Sequence, residues 1–272
     1  MKDLVFNNGV SIPRVGLGVW RAQEGDDTYN AVRYALDAGY RLIDTARVYG
    51  NEKSVGKAIR ESGIDRSEIF LTTKLWNDDI RAHRTKEAFQ ESLDDLGLDY
   101  VDLYLIHWPA EGYEEAWLEM EDLYKEGKIR AIGLSNFHLH HLDSLMEKAT
   151  VHPVIDQIES SPYFTNQELI DAIQAKGIIA ESWSPFGGHR GNMLDDPLLA
   201  ELSKKYNKNP GQLVVRWNVD RDVVVIPKSV HKERIISNFD VFDFELEPED
   251  IQAISNLDCG RRMGSSPDNF SF

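Results

Sequence analysis

Asp44, Tyr49, Lys74 and His107 stand at or just beyond the ends of three short apolar runs, residues 41–44, 69–74 and 101–107. Gathered in one place, a carboxylate, a phenol, an ammonium and an imidazole can carry out proton transfer to a carbonyl oxygen. Tyrosine, with a reference pKa of about 10, becomes a useful acid when a cation stands beside it. At about 4 Å and an effective dielectric of about 20, an ammonium interacts by roughly 4 kcal/mol, or up to about three pKa units. Asp44 would keep Lys74 charged and positioned, and His107 would hold the substrate oxygen. Singly, each has an ordinary alternative: a cap, a half-buried aromatic, a solvated cation, a satisfied core histidine. Their equivalent places along the chain favour the chemistry.

Such placement requires an array of strands that all end at one mouth. Short β-branched runs at residues 15–19, 41–44, 69–74, 101–107, 129–134, 154–158, 178–183 and 223–226 alternate with segments of helical period. Their starts fall roughly 25–30 residues apart, the period of a strand-then-helix unit, until a longer last gap that holds an extra helical segment around residues 210–219. Gly39, Gly63, Gly97, Gly127 and Gly177 each close a helical pattern just before a strand. Thr165 with Glu168 fits a capping box, and Asp196-Pro197 and Asn209-Pro210 pair a capping side chain with proline at the first helical position. Residues 4–7 and 10–12 around Asn8-Gly9 read as a hairpin that covers the floor of the array.

Eight such units without a Pro/Gly/Ser linker predict an α/β fold, a single (β/α)8 TIM-type barrel over residues 1–272 with an N-terminal β-hairpin and extra C-terminal helices. A doubly wound sheet is the alternative. It would normally bring a glycine-rich phosphate turn after the first strand, and Gly16-Leu17-Gly18-Val19-Trp20-Arg21 lacks the third glycine.

Charge narrows the partners. The 272 residues hold 30 Lys and Arg against 46 Asp and Glu, a net charge of −16, with no concentrated basic stripe, which argues against a nucleic-acid partner. No apolar run approaches the roughly 20 residues of a spanning helix, and residues 1–8 lack an apolar signal core. No membrane association and a cytoplasmic location are therefore expected, in agreement with the single cysteine, Cys259, read as a spare thiol. His138-Leu139-His140-His141 looks like a metal-ligand cluster, but it opens a helix with no carboxylate evident beside it. It reads as a solvated helix start, and no metal is expected.

Five segments together resemble the aldo-keto reductase superfamily: Ile43-Asp44-Thr45-Ala46-Arg47-Val48-Tyr49-Gly50-Asn51-Glu52, Thr72-Thr73-Lys74-Leu75-Trp76-Asn77, Asp102-Leu103-Tyr104-Leu105-Ile106-His107-Trp108-Pro109, Gly133-Leu134-Ser135-Asn136-Phe137 and Ile226-Pro227-Lys228-Ser229. Short loops and Glu181-Ser182-Trp183-Ser184-Pro185 resemble the bacterial 2,5-diketogluconate and glyoxal/methylglyoxal reductase branch. The resemblance implies a catalytic tetrad of Asp44, Tyr49, Lys74 and His107, with Tyr49 as proton donor and a hydride delivered from a nicotinamide. It implies that Ser135, Asn136 and Gln157 bind the carboxamide and that Trp183, followed by Ser184, stacks on the nicotinamide ring. Lys228, Ser229 and Arg234, after the last strand, would clamp a 2′-phosphate, with Asn238 near the adenine, so that NADPH is preferred over NADH. Trp20, Trp76 and Trp108 follow strands and are candidates for the wall of an apolar substrate pocket.

The sequence departs from the family pattern at Asp156, where asparagine is usual, at Ser161, where histidine is common, and at Arg47, often a small residue. Arg47 is a candidate to attract a carboxylate-bearing substrate. The expected activity is NADPH-dependent reduction of small aldehydes, ketoaldehydes or keto sugar acids by a monomer. An NADPH-sensing regulatory barrel with little turnover, and a metal-dependent hydrolase using the histidine cluster, are the competing readings.

Overall fold

β-branched and aromatic residues crowd the short runs, and in a parallel sheet covered on both faces such runs need no polar alternation. A computed structural model, which describes residues 3–188 and 192–272, places them in one eight-stranded parallel sheet in sequential order. After the hairpin strands β1 (Leu4–Val5) and β2 (Ser11–Ile12) come β3 (Leu17–Gly18), β4 (Leu42–Asp44), β5 (Phe70–Leu75), β6 (Val101–Ile106), β7 (Ile129–Ser135), β8 (Ile155–Glu159), β9 (Ile179–Trp183) and β10 (Val224–Val225). Each expected strand is present. The sheet curls so that its first and last strands meet: parallel bridges join Val15 to Val225 and Gly18 to Lys228, and Gly16 N–H donates to the Val225 carbonyl at 2.9 Å. Gly18 permits that approach, and Gly16 makes room for Leu42 of β4. A Cβ on Gly16 would lie 2.4 Å from Leu42 Cγ, and one on Gly18 2.9 Å from the Ile226 carbonyl oxygen.

Eleven α-helices among the described residues supply the crossovers and the outer layer. They are α1 (Asp26–Asp37), α2 (Glu52–Arg60), α3 (Asn77–Arg81), α4 (Thr85–Leu96), α5 (Tyr113–Lys125), α6 (Leu139–Met146), α7 (Gln167–Ala175), α8 (Pro197–Tyr206), α9 (Pro210–Asp220), α10 (Lys232–Phe239) and α11 (Pro248–Ser255). Capping follows the sequence at two of three expected starts. Asp196 accepts from Leu198 N–H at 2.9 Å, and Asn209 and Gln212 exchange side-chain bonds of 3.0 Å with each other's backbone. The expected box at Thr165 and Glu168 does not form: α7 starts later, after Asn166, and Thr165 is held by Asp258 instead.

The inner face of the sheet is filled by Leu42, Phe70, Leu103, Leu105, Ile155 and Val224, closed from below by Phe6 and Ile12 of the hairpin. As expected, that hairpin seals the floor, with Asn7 and Asn8 donating to the carbonyls of Pro153 and Arg130 at 3.0 and 3.1 Å. No helix among the described residues is long and apolar enough to cross a membrane.

Candidate active site

Side chains along a strand alternate between faces. Asp44 follows Leu42 by two residues, Lys74 follows Phe70 by four, and His107 follows Leu105 by two, and Leu42, Phe70 and Leu105 belong to the inner cluster. The period therefore turns Asp44, Lys74 and His107 inward at the carboxyl ends of β4, β5 and β6. By the same period Gln157 follows Ile155 on β8, and Glu181 follows Ile179 on β9.

Lys74 is fully buried and donates to both oxygens of Asp44 at 2.7 Å and to the Thr45 carbonyl at 2.9 Å. Tyr49 closes a single 3-10 turn, Arg47–Tyr49, ended by Gly50 at φ 63°, and its ring centroid is 5.2 Å from Lys74 Nζ. The His107 ring stands edge-on to Tyr49 at 5.7 Å and to Trp76 at 5.2 Å. The structure thus brings all four expected side chains together. Asn51 is a positioning residue that the sequence reading passed over: it is buried, donates to the carbonyls of Val19 and Ala22 at 3.0 and 3.1 Å, and accepts from Thr45 at 2.8 Å. These bonds tie the Tyr49 loop to the end of β3.

Burial sets the electrostatics. Desolvation disfavours the Lys74 ammonium, but the Asp44 charge, then Tyr49, the hydrogen bond to Asp44 and, last, Glu181 together outweigh it, so Lys74 is held above the usual lysine range and stays protonated. Loss of hydration and the Lys74 charge together hold His107 well below the usual histidine range, as a neutral imidazole whose Nδ1 is buried without a protein partner. Tyr49 departs from expectation. Burial pushes the phenol up to about 12 against the pull of Lys74, and the Asp44 and Glu181 charges push the same way. The sequence estimate counted the ammonium but not the desolvation of the phenolate.

Glu181, quoted in sequence only as part of a motif, belongs to the same buried network. Gln157 Nε2 donates to Asp44 at 2.8 Å and to Glu181 at 2.9 Å. Burial first, then the Asp44 charge, pushes Glu181 up to about 8. Burial also pushes the Asp44 carboxyl up, against the opposing pull of the Lys74 charge and the hydrogen bonds from Lys74 and Gln157, so Gln157 bridges two buried carboxyl groups beside one ammonium.

The other expected residues divide. Asn136 donates to the His107 carbonyl and to Ser135 Oγ at 3.0 Å and accepts from Trp183 Nε1 at 2.9 Å, so the strand ends of β6, β7 and β9 are laced together. Ser135 Oγ donates to the Gln157 carbonyl, and Ser184 follows Trp183 with φ 53°. Lys228 and Arg234 are exposed and make no ion pair among the described residues, while Ser229 and Asn238 are buried beside them. Trp76 and Trp108 meet the C-terminal aromatics: Phe272 stacks on Trp76 at 5.7 Å, and Phe270 and Phe272 each lie 5.2 Å from Trp108. Trp20 is 49% exposed with Arg21 over its face, apart from these contacts.

Two departures acquire a physical reading. Asp156 is fully buried, accepts from Phe137 N–H at 3.4 Å and has no partner on its second oxygen, so burial pushes it up to about 8. Protonated, it is a neutral substitute for the usual asparagine. Arg47 corrects an expectation: its guanidinium is bound to Asp79 at 2.9 Å and to Glu91, so its charge is already matched. Ser161 pairs by its backbone with Phe164 and leaves its hydroxyl buried without a partner. Cys259 is an exposed free thiol, as read. The histidine cluster also differs from expectation, because a carboxylate does reach it: Asp268 of the C-terminal tail lies 2.8 Å from His138.

Comparison with known proteins places this geometry in context. A family model described as the aldo/keto reductase family matches residues 14–258. Glyoxal reductase of Bacillus subtilis is 46% identical over 100% of this chain and 99% of its own. Methylglyoxal reductase of Escherichia coli is 46% identical over 97% of this chain and 96% of its own. The crystal structure of a Bombyx mori aldo-keto reductase in complex with NADP superposes with a TM-score of 0.91 at 40% identity, covering 98% of this chain and 95% of that one.

Proposed function

The chain belongs to the aldo/keto reductase family and is a carbonyl-reducing oxidoreductase, and from that premise we propose that it reduces small dicarbonyls and ketoaldehydes with NADPH, Tyr49 giving the proton. The observation that carries this reading is the buried Lys74 ammonium, bonded to Asp44 and standing beside the Tyr49 ring with a neutral His107 on the other side. The bridges between the first and last strands support a closed (β/α)8 barrel, one domain over residues 1–272, with these side chains at its carboxyl-end mouth.

The residues present fit a nicotinamide dinucleotide phosphate. In a chain of net charge −16, Lys228 and Arg234 are cations without ion pairs among the described residues, next to the N-terminus of α10, where backbone N–H groups favour a phosphate. Ser229 lies between them. Ser135, Asn136 and Gln157 offer amide and hydroxyl groups to a carboxamide, and Trp183 offers a flat face. When bound, this cofactor supplies the hydride to the carbonyl carbon.

The protein's own groups do the rest. Tyr49 is protonated throughout the physiological range and donates O–H to the carbonyl oxygen as negative charge grows there. The phenolate left behind is stabilised by the Lys74 ammonium, whose Nζ stands 5.2 Å from the ring centroid. Asp44 keeps the ammonium charged and in place. Neutral His107 has an N–H to orient the oxygen without competing as an acid. Trp76, Trp108 and the C-terminal phenylalanines give the mouth an aromatic wall.

Glyoxal and methylglyoxal reductases among the relatives support small uncharged dicarbonyls. Keto sugar acids are the less favoured class, since Arg47, the cation expected to attract their carboxylate, is engaged by Asp79 and Glu91. The sensing alternative is disfavoured by the complete proton-transfer group. Cofactor consumption by the purified chain with glyoxal, methylglyoxal and a keto sugar acid, with NADPH and with NADH, tests the reading. Turnover with NADPH and the uncharged dicarbonyls is expected. Cofactor binding without consumption on any substrate would leave the sensing reading standing.

A further inference from the structure

The C-terminal tail brings a carboxylate to the imidazoles at the start of α6. His138 Nδ1 lies 2.9 Å from Asp268 Oδ1 and 2.8 Å from Oδ2, and His140 Nε2 lies 3.4 Å from Oδ1. The ligand-capable atoms of His138, His140 and Asp268 all fall within 4.8 Å of one another. Around a tetrahedral zinc with bonds of about 2.0–2.1 Å, neighbouring ligand atoms are about 3.3 Å apart. The observed separations bracket that value, so small rotations of the exposed His140 and Asp268 side chains suffice.

We propose that His138, His140 and Asp268 form a binding site for a first-row divalent cation of zinc's class, and that the bound ion fastens the C-terminal tail to the start of α6. Two imidazoles and a carboxylate are borderline-hard N/O donors, the set that suits zinc better than calcium or magnesium, which take oxygen ligands. His140 and Asp268 are solvent-facing, so water can complete the coordination. His141 serves a different purpose. Its Nδ1 accepts the His138 backbone N–H at 3.2 Å, which fixes the start of α6, and its Nε2, 3.8 Å from Asp268 Oδ1, is beyond hydrogen-bond reach. Arg262 faces the cluster from the other side, 3.5 Å from His138 Nε2, and with the α6 N-terminus opposes a cation. The Asp268 charge and the net charge of −16 favour one.

The consequence lies in what Asp268 is attached to. At one end of the tail, Glu159 accepts the backbone N–H groups of Met263 and Gly264 at 2.6 and 2.9 Å. At the other, the Phe272 carbonyl accepts from Asn77 and Arg81 at 3.1 and 2.8 Å, while Phe270 and Phe272 cover Trp108 and Trp76. Asp268 stands between these anchors, so a metal there adds a third fastening to the segment over the mouth. This inference does not depend on the reductase reading.

Calorimetric titration of the tag-free chain with zinc chloride tests it, together with His140→Gln, Asp268→Asn and, as a control, the exposed His152→Gln. One zinc per chain is expected, weakened tenfold or more in His140→Gln and in Asp268→Asn, and unchanged in His152→Gln. Amide hydrogen exchange in residues 266–272 should slow with zinc in the wild type and not in Asp268→Asn. Zinc binding that survives in both site variants, or that leaves the tail's exchange unchanged, overturns the proposal.

Discussion

His107 follows the end of β6 and His138 caps the start of α6, and each stands near charged groups, but one ring is enclosed and the other reaches solvent. His107 is 8% exposed, faces the Lys74 ammonium and is kept neutral. His138 has a side chain 24% exposed and faces the Asp268 carboxylate near water. In the buried group every charge acts at low dielectric, so position and protonation are set together by the strands. In the surface group the contacts are made by a tail and a helix start, where solvent screens them and a ligand can compete. The same residue type is thus an enclosed neutral ring in one place and a partly exposed ring paired with a carboxylate in the other.

If the buried group acts as a unit, Tyr49→Phe should show the largest effect. Loss of a general acid removes about 10²–10⁴-fold of rate, and cofactor affinity measured by Trp183 fluorescence should be nearly unchanged. Activity retained within a few-fold of wild type would remove Tyr49 from its role. Lys74→Met comes next, because it strands the Asp44 carboxylate in a site where it is only 2% exposed. Breaking a buried pair this way costs about 3–5 kcal/mol, visible in urea melts. The double variant Asp44→Asn with Lys74→Met should recover much of that stability while remaining inactive.

Asp156 sharpens the contrast through pH. Its folded pKa of about 8 lies above the ordinary carboxylate value of 3.8, so the folded state holds a proton that the unfolded state has released between these values. Stability from this group is therefore lost as pH rises from about 4 to about 8, by at most about 1.4 kcal/mol per unit. Asp156→Asn should melt progressively higher than wild type as pH is raised from 5 to 8; a constant gap would mean the carboxyl is already ionised.

On the exposed side, Arg234→Ala should weaken NADPH binding by at least tenfold, leave NADH nearly unaffected and flatten the salt dependence for NADPH. Equal wild-type affinity for the two cofactors would dismiss the 2′-phosphate assignment. The smallest effect is expected for Arg47→Ala. Since its charge is matched by Asp79 and Glu91, KM for keto acids and for uncharged aldehydes should change alike. A selective rise for keto acids would show that the arginine leaves its partners when substrate binds.

The eight strands, the floor hairpin and the inward placement of Asp44, Lys74 and His107 were legible in the sequence by itself, since they rest on a two-residue period, glycine exits and local caps. Other features depend on chain segments far apart in sequence. Arg47 meets Glu91 across 44 positions and His138 meets Asp268 across 130, and no periodicity encodes either pairing. Whether a charge is free or matched was therefore settled only when the elements packed. Tyr49 shows the same limit in energy. Its lysine neighbour could be inferred from strand positions, but its upward shift to about 12 comes first from desolvation by everything packed around it. Local pattern determined which groups meet at the mouth, and tertiary burial decided which of them carry charge, because desolvation and Coulomb terms sum over the whole fold.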